Sequence, residues 1–106
     1  MIMETIKSVI EQETKLCLNV KSRKREYIFA RALYFKLCKE QTSASLEKIG
    51  ASLGFSHSNV IYSINKIYPE IKKYDTDSYY AYLKCLKLTE QLKKYQFDLL
   101  NKALNN

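Results

Sequence analysis

Residues that make turns are scarce in this sequence, which has two glycines and one proline among 106 residues. Folds built from β-strands need many turns, and turns depend on glycine and proline. The scarcity, together with the many leucines and lysines, predicts an all-α chain. A chain of this length fits one modest hydrophobic core.

Cysteine and histidine are also few, and this limits the chemistry that the chain can perform. Cys17, Cys38 and Cys85 form no Cys-x-x-Cys pair, which indicates free thiols in a reducing compartment and not a disulfide frame or a zinc site. All three lie at apolar positions of predicted helices, so we expect them in the core. The single histidine, His57, has no Asp or Glu within eight residues on either side. We therefore expect no catalytic site, no bound metal and no cofactor.

Long apolar runs are absent from the sequence as well. None approaches the roughly 18 residues that span a bilayer. The first residues lack the basic region and the long apolar stretch of a secretion signal. These features predict a cytoplasmic protein with no membrane partner.

Positive charge, in contrast, is abundant. Lysine and arginine number 18 against 11 acidic residues, a formal net charge of +7. Residues 1–69 carry 11 basic and 6 acidic side chains, a net of +5, and residues 70–106 carry 7 and 5, a net of +2. A basic surplus attracts polyanions, nucleic acid before an anionic membrane. Four of the five residues from Lys21 to Arg25 are basic, and we expect them to form a loop.

Apolar residues at helical spacing predict five helices, at residues 3–18, 26–40, 45–53, 56–67 and 77–104. The second helix is apolar on nearly every side, which is typical of a central helix packed on several faces. Pro69 is expected to stop or bend the chain after the fourth. The last helix has an apolar stripe at spacings of four and three that suits a partner helix: Ala81, Cys85, Leu88, Leu92, Tyr95 and Leu99.

The third and fourth predicted helices, joined by Gly54 and Phe55, have the plan of a helix-turn-helix. Ser45 and Ser56 can act as their N-caps. In this plan the second helix enters the major groove of DNA with its N-terminal residues against the bases. We expect its buried stripe to be Val60, Ile61, Ile64 and Ile67. We expect its outward face to be His57, Ser58, Asn59, Tyr62, Ser63 and Lys66.

Three spaced motifs in residues 22–67 give a more specific indication. They are R-E-x-x-x-A-R from Arg25 to Arg31, S-L-x-x-I-G from Ser45 to Gly50, and G-x-x-H-[ST]-x-V from Gly54 to Val60, followed by Lys66-Ile67. The segment resembles the C-terminal DNA-binding domain of the bacterial replication initiator DnaA, whose fold is similar to that of Trp repressor. With the preceding helix, the resemblance covers about the first 68 positions.

The resemblance implies roles for particular residues. In that family the His and the following hydroxyl read bases in the major groove, and an Arg of the basic loop enters the minor groove. His57 and Ser58 match the first role, with Ser56, Asn59 and Tyr62 beside them. Arg25 or Arg23 matches the second. The candidates for phosphate contact are Lys21, Lys24, Arg31, Lys48 and Lys66.

The chain also departs from the family pattern. Where the family has Gly-Gly-Arg-Asp-His-Thr-Thr, this chain has residues 53–59 with Phe55 and Ser56 at the Arg and Asp positions. The departures argue against recognition of the family's own target sequence more than against DNA binding itself. No phosphate-binding motif G-x-x-x-x-G-K-[ST] is present, so we expect no ATPase activity.

The sequence therefore predicts a DNA-binding domain at residues 1–69 and a helical extension at residues 70–106. The extension either packs on that domain or forms a homodimer through residues 81–99. The expected partner is double-stranded DNA, in replication or in regulation of transcription. The alternative from another class is a small protein-interaction module or regulator that docks through its C-terminal helix.

Overall fold

The computed structural model describes residues 2–105, and all of the regular structure in that range is helical. This confirms the predicted all-α class. The helices are α1 (Met3–Thr14), α2 (Arg25–Gln41), α3 (Leu46–Ala51), α4 (His57–Tyr62), α5 (Tyr68–Tyr74) and α6 (Thr76–Leu104), with a π-helical turn (Ser63–Ile67) that joins α4 to α5.

Helix α2 is the centre of the fold, as its apolar sequence predicts. It packs against α1, α3, α5, α6 and the π turn. Leu33, Tyr34, Phe35 and Leu37 are each almost fully buried. The Tyr34 hydroxyl lies 2.7 Å from the Ser52 hydroxyl, which donates to the Ile49 carbonyl, so a polar chain ties α2 to the end of α3.

Helix α1 is shorter than predicted, because the chain turns sharply after Thr14. Lys15 adopts a left-handed conformation (φ 61°), and its N–H donates to the Glu11 carbonyl. The Leu18 N–H donates to the Glu11 carboxylate at 2.8 Å, which brings the buried Leu18 back onto the core. The prediction of a core position was wrong for Cys17, which this turn leaves exposed, and is confirmed for Cys38 and Cys85.

Pro69 does not end the fourth helix. The Tyr68 N–H donates to the Ser63 carbonyl, which widens the helix by one residue per turn just before the proline. Pro69, which has no N–H to donate, follows this wider turn as the second residue of α5. The chain is therefore helical without interruption from His57 to Tyr74.

Helix α6 begins as predicted, with the Asp75 carboxylate accepting from the Ser78 N–H at 3.0 Å. Its buried residues are Tyr82, Cys85 and Thr89, so the face in contact with α1, α2 and α5 is rotated from the predicted stripe. Leu88, Tyr95 and Leu99 of that stripe are exposed. Across residues 2–105, no helix combines the length and the apolar character needed to cross a membrane.

Candidate nucleic-acid interface

The N-terminus of α4 is a capped and solvent-facing end. The Asn59 N–H donates to the Ser56 carbonyl at 3.1 Å and to the Ser56 hydroxyl at 3.3 Å, so the side chain and the backbone of Ser56 share this donor of the first turn. His57, Ser58 and Asn59 are all exposed. The structure therefore places every sequence-predicted base-contact residue of this turn where a ligand can reach it.

In the next turn of the helix, two side chains point the opposite way from the prediction. Tyr62 and Lys66 face solvent as predicted. Ser63 is only 6% exposed, while Ile61 is 39% exposed, which is the reverse of the prediction for both. The buried positions are Val60, Ser63 and Ile64, at spacings of three and four, and Ile61 lies one position off that face.

Two glycines bring α3 and α4 together. Gly54 has the left-handed φ (79°) that allows the chain to reverse after α3, as predicted. Gly50 has no such role, but a Cβ atom there would lie 2.5 Å from the Phe55 carbonyl oxygen and 3.1 Å from a Val60 methyl group. The absence of a side chain at Gly50 is therefore what lets the two helices touch.

Arg31 holds the basic loop onto α2. Its guanidinium donates to the Val20 carbonyl at 3.2 Å and to the Ser22 carbonyl at 2.9 Å. The residue is 7% exposed, and its burial lowers the pKa of the guanidinium. Arg31 therefore does not present its charge to solvent as a phosphate contact would require. Arg31 is the only charged residue in the apolar stretch from Tyr27 to Phe35, and this was the signal for a buried, hydrogen-bonded side chain.

Lys21 connects the same loop to the turn of the helix-turn-helix. Its ammonium donates to the Gly54 carbonyl at 2.6 Å and lies 4.8 Å from the centre of the Phe55 ring. The basic loop thus lies beside the N-terminal end of α4. The sequence predicted both elements, and the structure brings them together.

Arg25 faces a different neighbourhood. Its guanidinium lies 4.8 Å from the Phe29 ring on its own helix. It also lines an open groove with Thr14, Asp75 and Asp77, at the ends of α1 and α6. Its side chain is exposed, and so are the other cations of the candidate set: Arg23, Lys24, Lys48 and Lys66.

The described residues include no cluster of three or more His, Cys, Asp or Glu side chains that could hold a metal ion. The polar chemistry of this surface is thus that of hydrogen-bonding side chains, backbone N–H groups and cations.

Two serine-capped helices that are joined by a glycine turn and pack on each other, with α3 and the π turn on the central helix, define the helix-turn-helix class of DNA-binding domain. The family model for the bacterial DnaA protein helix-turn-helix matches residues 3–67, and the chain belongs to that family. This confirms the resemblance found in the motifs. No curated protein and no solved structure matches the chain. The match ends at Ile67, so α5 and α6 lie beyond it.

Proposed function

We propose that this protein binds duplex DNA with a preference for particular sequences, in replication or in the regulation of transcription, and without ATPase activity of its own. The first turn of α4 would enter the major groove, with His57, Ser58 and Asn59 against base edges and Ser56 and Tyr62 beside them. The observation that carries the proposal is the exposure of this capped turn beside the basic loop in a chain of the DnaA helix-turn-helix family.

The exposed cations of the basic loop, of α3 and of the π turn supply the attraction to phosphate. Arg23 and Arg25 are the candidates for the minor groove or the adjacent strand, and Lys21, Lys24, Lys48 and Lys66 are candidates for phosphate contact. Arg31 is left out of this set, because its guanidinium is engaged with loop carbonyls. Its proposed role is to hold the loop in place.

A titration of labelled random duplex against salt tests the proposal. If about five phosphates are neutralised, log affinity should fall with log salt at a slope of about −4.5, which is several-hundred-fold weaker binding at 200 mM than at 50 mM. Absent or salt-insensitive binding would contradict DNA binding and favour the protein-interaction alternative.

Two variants then separate the proposed roles on sequences selected from a random pool. Arg25→Ala should weaken binding to all sequences, and His57→Ala should mainly relax the preference among them. Lys102→Ala, near the end of α6, is the matched control because it removes the same charge as Arg25→Ala far along the chain from the proposed interface. Equal losses for Arg25→Ala and Lys102→Ala would show that only net charge matters.

The second half of α6 supports a further proposal about assembly. Every residue from Lys93 to Asn105 is exposed. We call residues 93–104 the outer segment, which is about 18 Å of helix. Its large apolar side chains are 49–73% exposed: Tyr95, Phe97, Leu99, Leu100 and Leu104. Of its four charged residues, Lys94, Asp98 and Lys102 alternate in sign at a spacing of four, as on a solvated face, and Lys93 lies off that face.

We propose that the outer segment pairs with that of a second copy. Phe97, Leu100 and Leu104 recur at spacings of three and four, so they share one face that a two-fold pair would bury against the same face of the second copy. A two-fold pair would also present two copies of α4 to a palindromic site. In this arrangement residues 1–69 form the DNA-binding unit, and residues 70–106 pack on it through the first half of α6.

Analytical ultracentrifugation at micromolar concentration tests the pairing. The wild-type chain should sediment as a dimer, and the Leu99→Glu/Leu100→Glu double variant as a monomer. Asn101→Glu adds a charge on the polar face of the same segment and should leave the dimer intact. A monomeric wild-type chain would overturn the proposal and leave the outer segment to a different partner.

A further inference from the structure

Phe55 is an aromatic residue in the turn between two polar-faced helices, and two cations lie close to its ring. The Lys21 ammonium is 4.8 Å from the ring centre and the Arg31 guanidinium 5.0 Å. The Phe55 ring also packs edge-to-face with the ring of Phe35 on α2, and the two ring centres are 6.3 Å apart. Contacts of a cation with a ring face at these distances are attractive, and more so when they are partly desolvated.

Both cations are fixed at their other contacts. Lys21 donates to the Gly54 carbonyl, immediately before Phe55. Arg31 donates to the carbonyls of Val20 and Ser22, on either side of Lys21. The Phe55 N–H itself donates to the Gly50 carbonyl at 2.9 Å. The ring thus joins the basic loop, the central helix and the turn at one point.

We infer that Phe55 is a positioning residue that locks the basic loop to the helix-turn-helix turn, so that loop and α4 meet a ligand as one preformed surface. This inference rests on the proposed DNA binding for its functional consequence only. A loop that is already held in place loses less conformational freedom when the complex forms. Affinity for the ligand therefore rises although Phe55 makes no contact with it. Phe55 acts through Lys21 and Arg31 and does not itself touch DNA.

Trypsin cleavage in the basic loop of the free protein tests the lock without any DNA. Phe55→Leu keeps an apolar side chain in the turn but removes the ring. The variant should be cleaved after Lys21, Arg23 or Lys24 about tenfold faster than the wild-type chain, at a temperature well below the melting temperature of either protein. Phe55→Tyr keeps the ring, and trypsin should cleave this variant at the wild-type rate. Phe29→Leu is the matched control, since it removes a ring beneath Arg25 that does not contact the turn.

Duplex binding measured on the same variants tests the consequence. Phe55→Leu should bind about tenfold more weakly, a loss of ~1.4 kcal/mol, with the salt slope of the wild-type chain, because no phosphate contact is removed. Phe55→Tyr should restore the affinity.

Equal cleavage rates in Phe55→Leu and Phe29→Leu would overturn the inference. A wild-type chain that binds no duplex would overturn the proposed function instead, and the cleavage rates would still decide whether Phe55 locks the loop. Faster cleavage with undiminished affinity would show that the lock exists and does not serve binding, which also contradicts the inference.

Discussion

Helix α2 and the outer segment of α6 are both rich in aromatic and aliphatic side chains, yet they lie in opposite environments. In α2 the residues from Ala30 to Phe35 are all buried and pack against several helices. In the outer segment all residues are exposed. Apolar content alone therefore does not tell where a helix lies in this fold. The difference indicates that stability resides in residues 3–92, and that the outer segment is a surface.

The largest expected effect is a loss of stability at high pH. It comes from ionisable groups that are buried in residues 3–92, whereas the outer segment buries none. Burial raises the pKa of Cys38 to about 12 and that of Cys85 to about 11, and it also raises the pKa values of Tyr34 and Tyr82. The folded chain therefore keeps protons that the unfolded chain releases from about pH 9, the ordinary value of a thiol here. Stability is complete below that pH and falls as pH rises toward 11–12.

Urea unfolding with reductant present, at pH 7, 9 and 10.5, measures this loss, which should amount to several kcal/mol at the highest pH. Cys38→Ala removes one titrating group and should make the decline shallower. Gln96→Ala, which removes no titrating group from the outer segment, should leave the decline unchanged. A free energy of unfolding that stays constant up to pH 10.5 would show that these groups are not buried in solution.

A smaller loss is expected from Gly50→Ala, which tests how tightly the helix-turn-helix is packed. The new methyl group would lie 2.5 Å from the backbone oxygen of Phe55. The Phe55 backbone can move away only if α3 separates from the turn. Overpacking of this kind costs about 1–3 kcal/mol. Thermal or urea unfolding measures it. Ala51→Ser, at the exposed neighbouring position, should change stability by less than ~0.5 kcal/mol. Equal stability of the two variants would contradict the close contact.

The features that the sequence predicted are those that depend on neighbours along the chain. Helical periodicity located α2 and α6, and the side-chain chemistry of Ser45 and Ser56 located two N-caps. The left-handed turn at Gly54 also follows from its residue type. Motif spacing identified the family, because it combines several such local features.

The features that the sequence did not predict depend on contacts between distant segments. Leu18 is drawn back to Glu11, which ends α1 early and exposes Cys17. Arg31 is basic in sequence but is buried by the loop that it binds. Leu99 is exposed because α6 extends past the helices on which its first half packs. How far those helices reach depends on tertiary packing, and the local sequence does not predict it.

Loss of a serine cap should have a still smaller effect. Ser45→Ala and Ser56→Ala each remove the side-chain acceptor at the start of a helix. The cost should be about 1 kcal/mol for Ser45→Ala and less for Ser56→Ala, because the Asn59 N–H also donates to the Ser56 carbonyl at 3.1 Å. Ser43→Ala, at an exposed turn position, should cost nothing measurable. The midpoint of urea unfolding reports each value. Unchanged midpoints in both cap variants would show that the two short helices are held by packing alone.

The smallest effect is expected from removal of the outer segment itself. A chain that ends at Leu92 keeps every buried side chain of the core, the Asp75 cap and the ion pair of Lys84 with Glu13 at 3.1 Å. At concentrations low enough to exclude pairing, its free energy of unfolding should therefore match that of the full chain to within ~0.5 kcal/mol. A loss of 2 kcal/mol or more, as a packed helix such as α2 would give, would mean that the outer segment folds back on the body in solution.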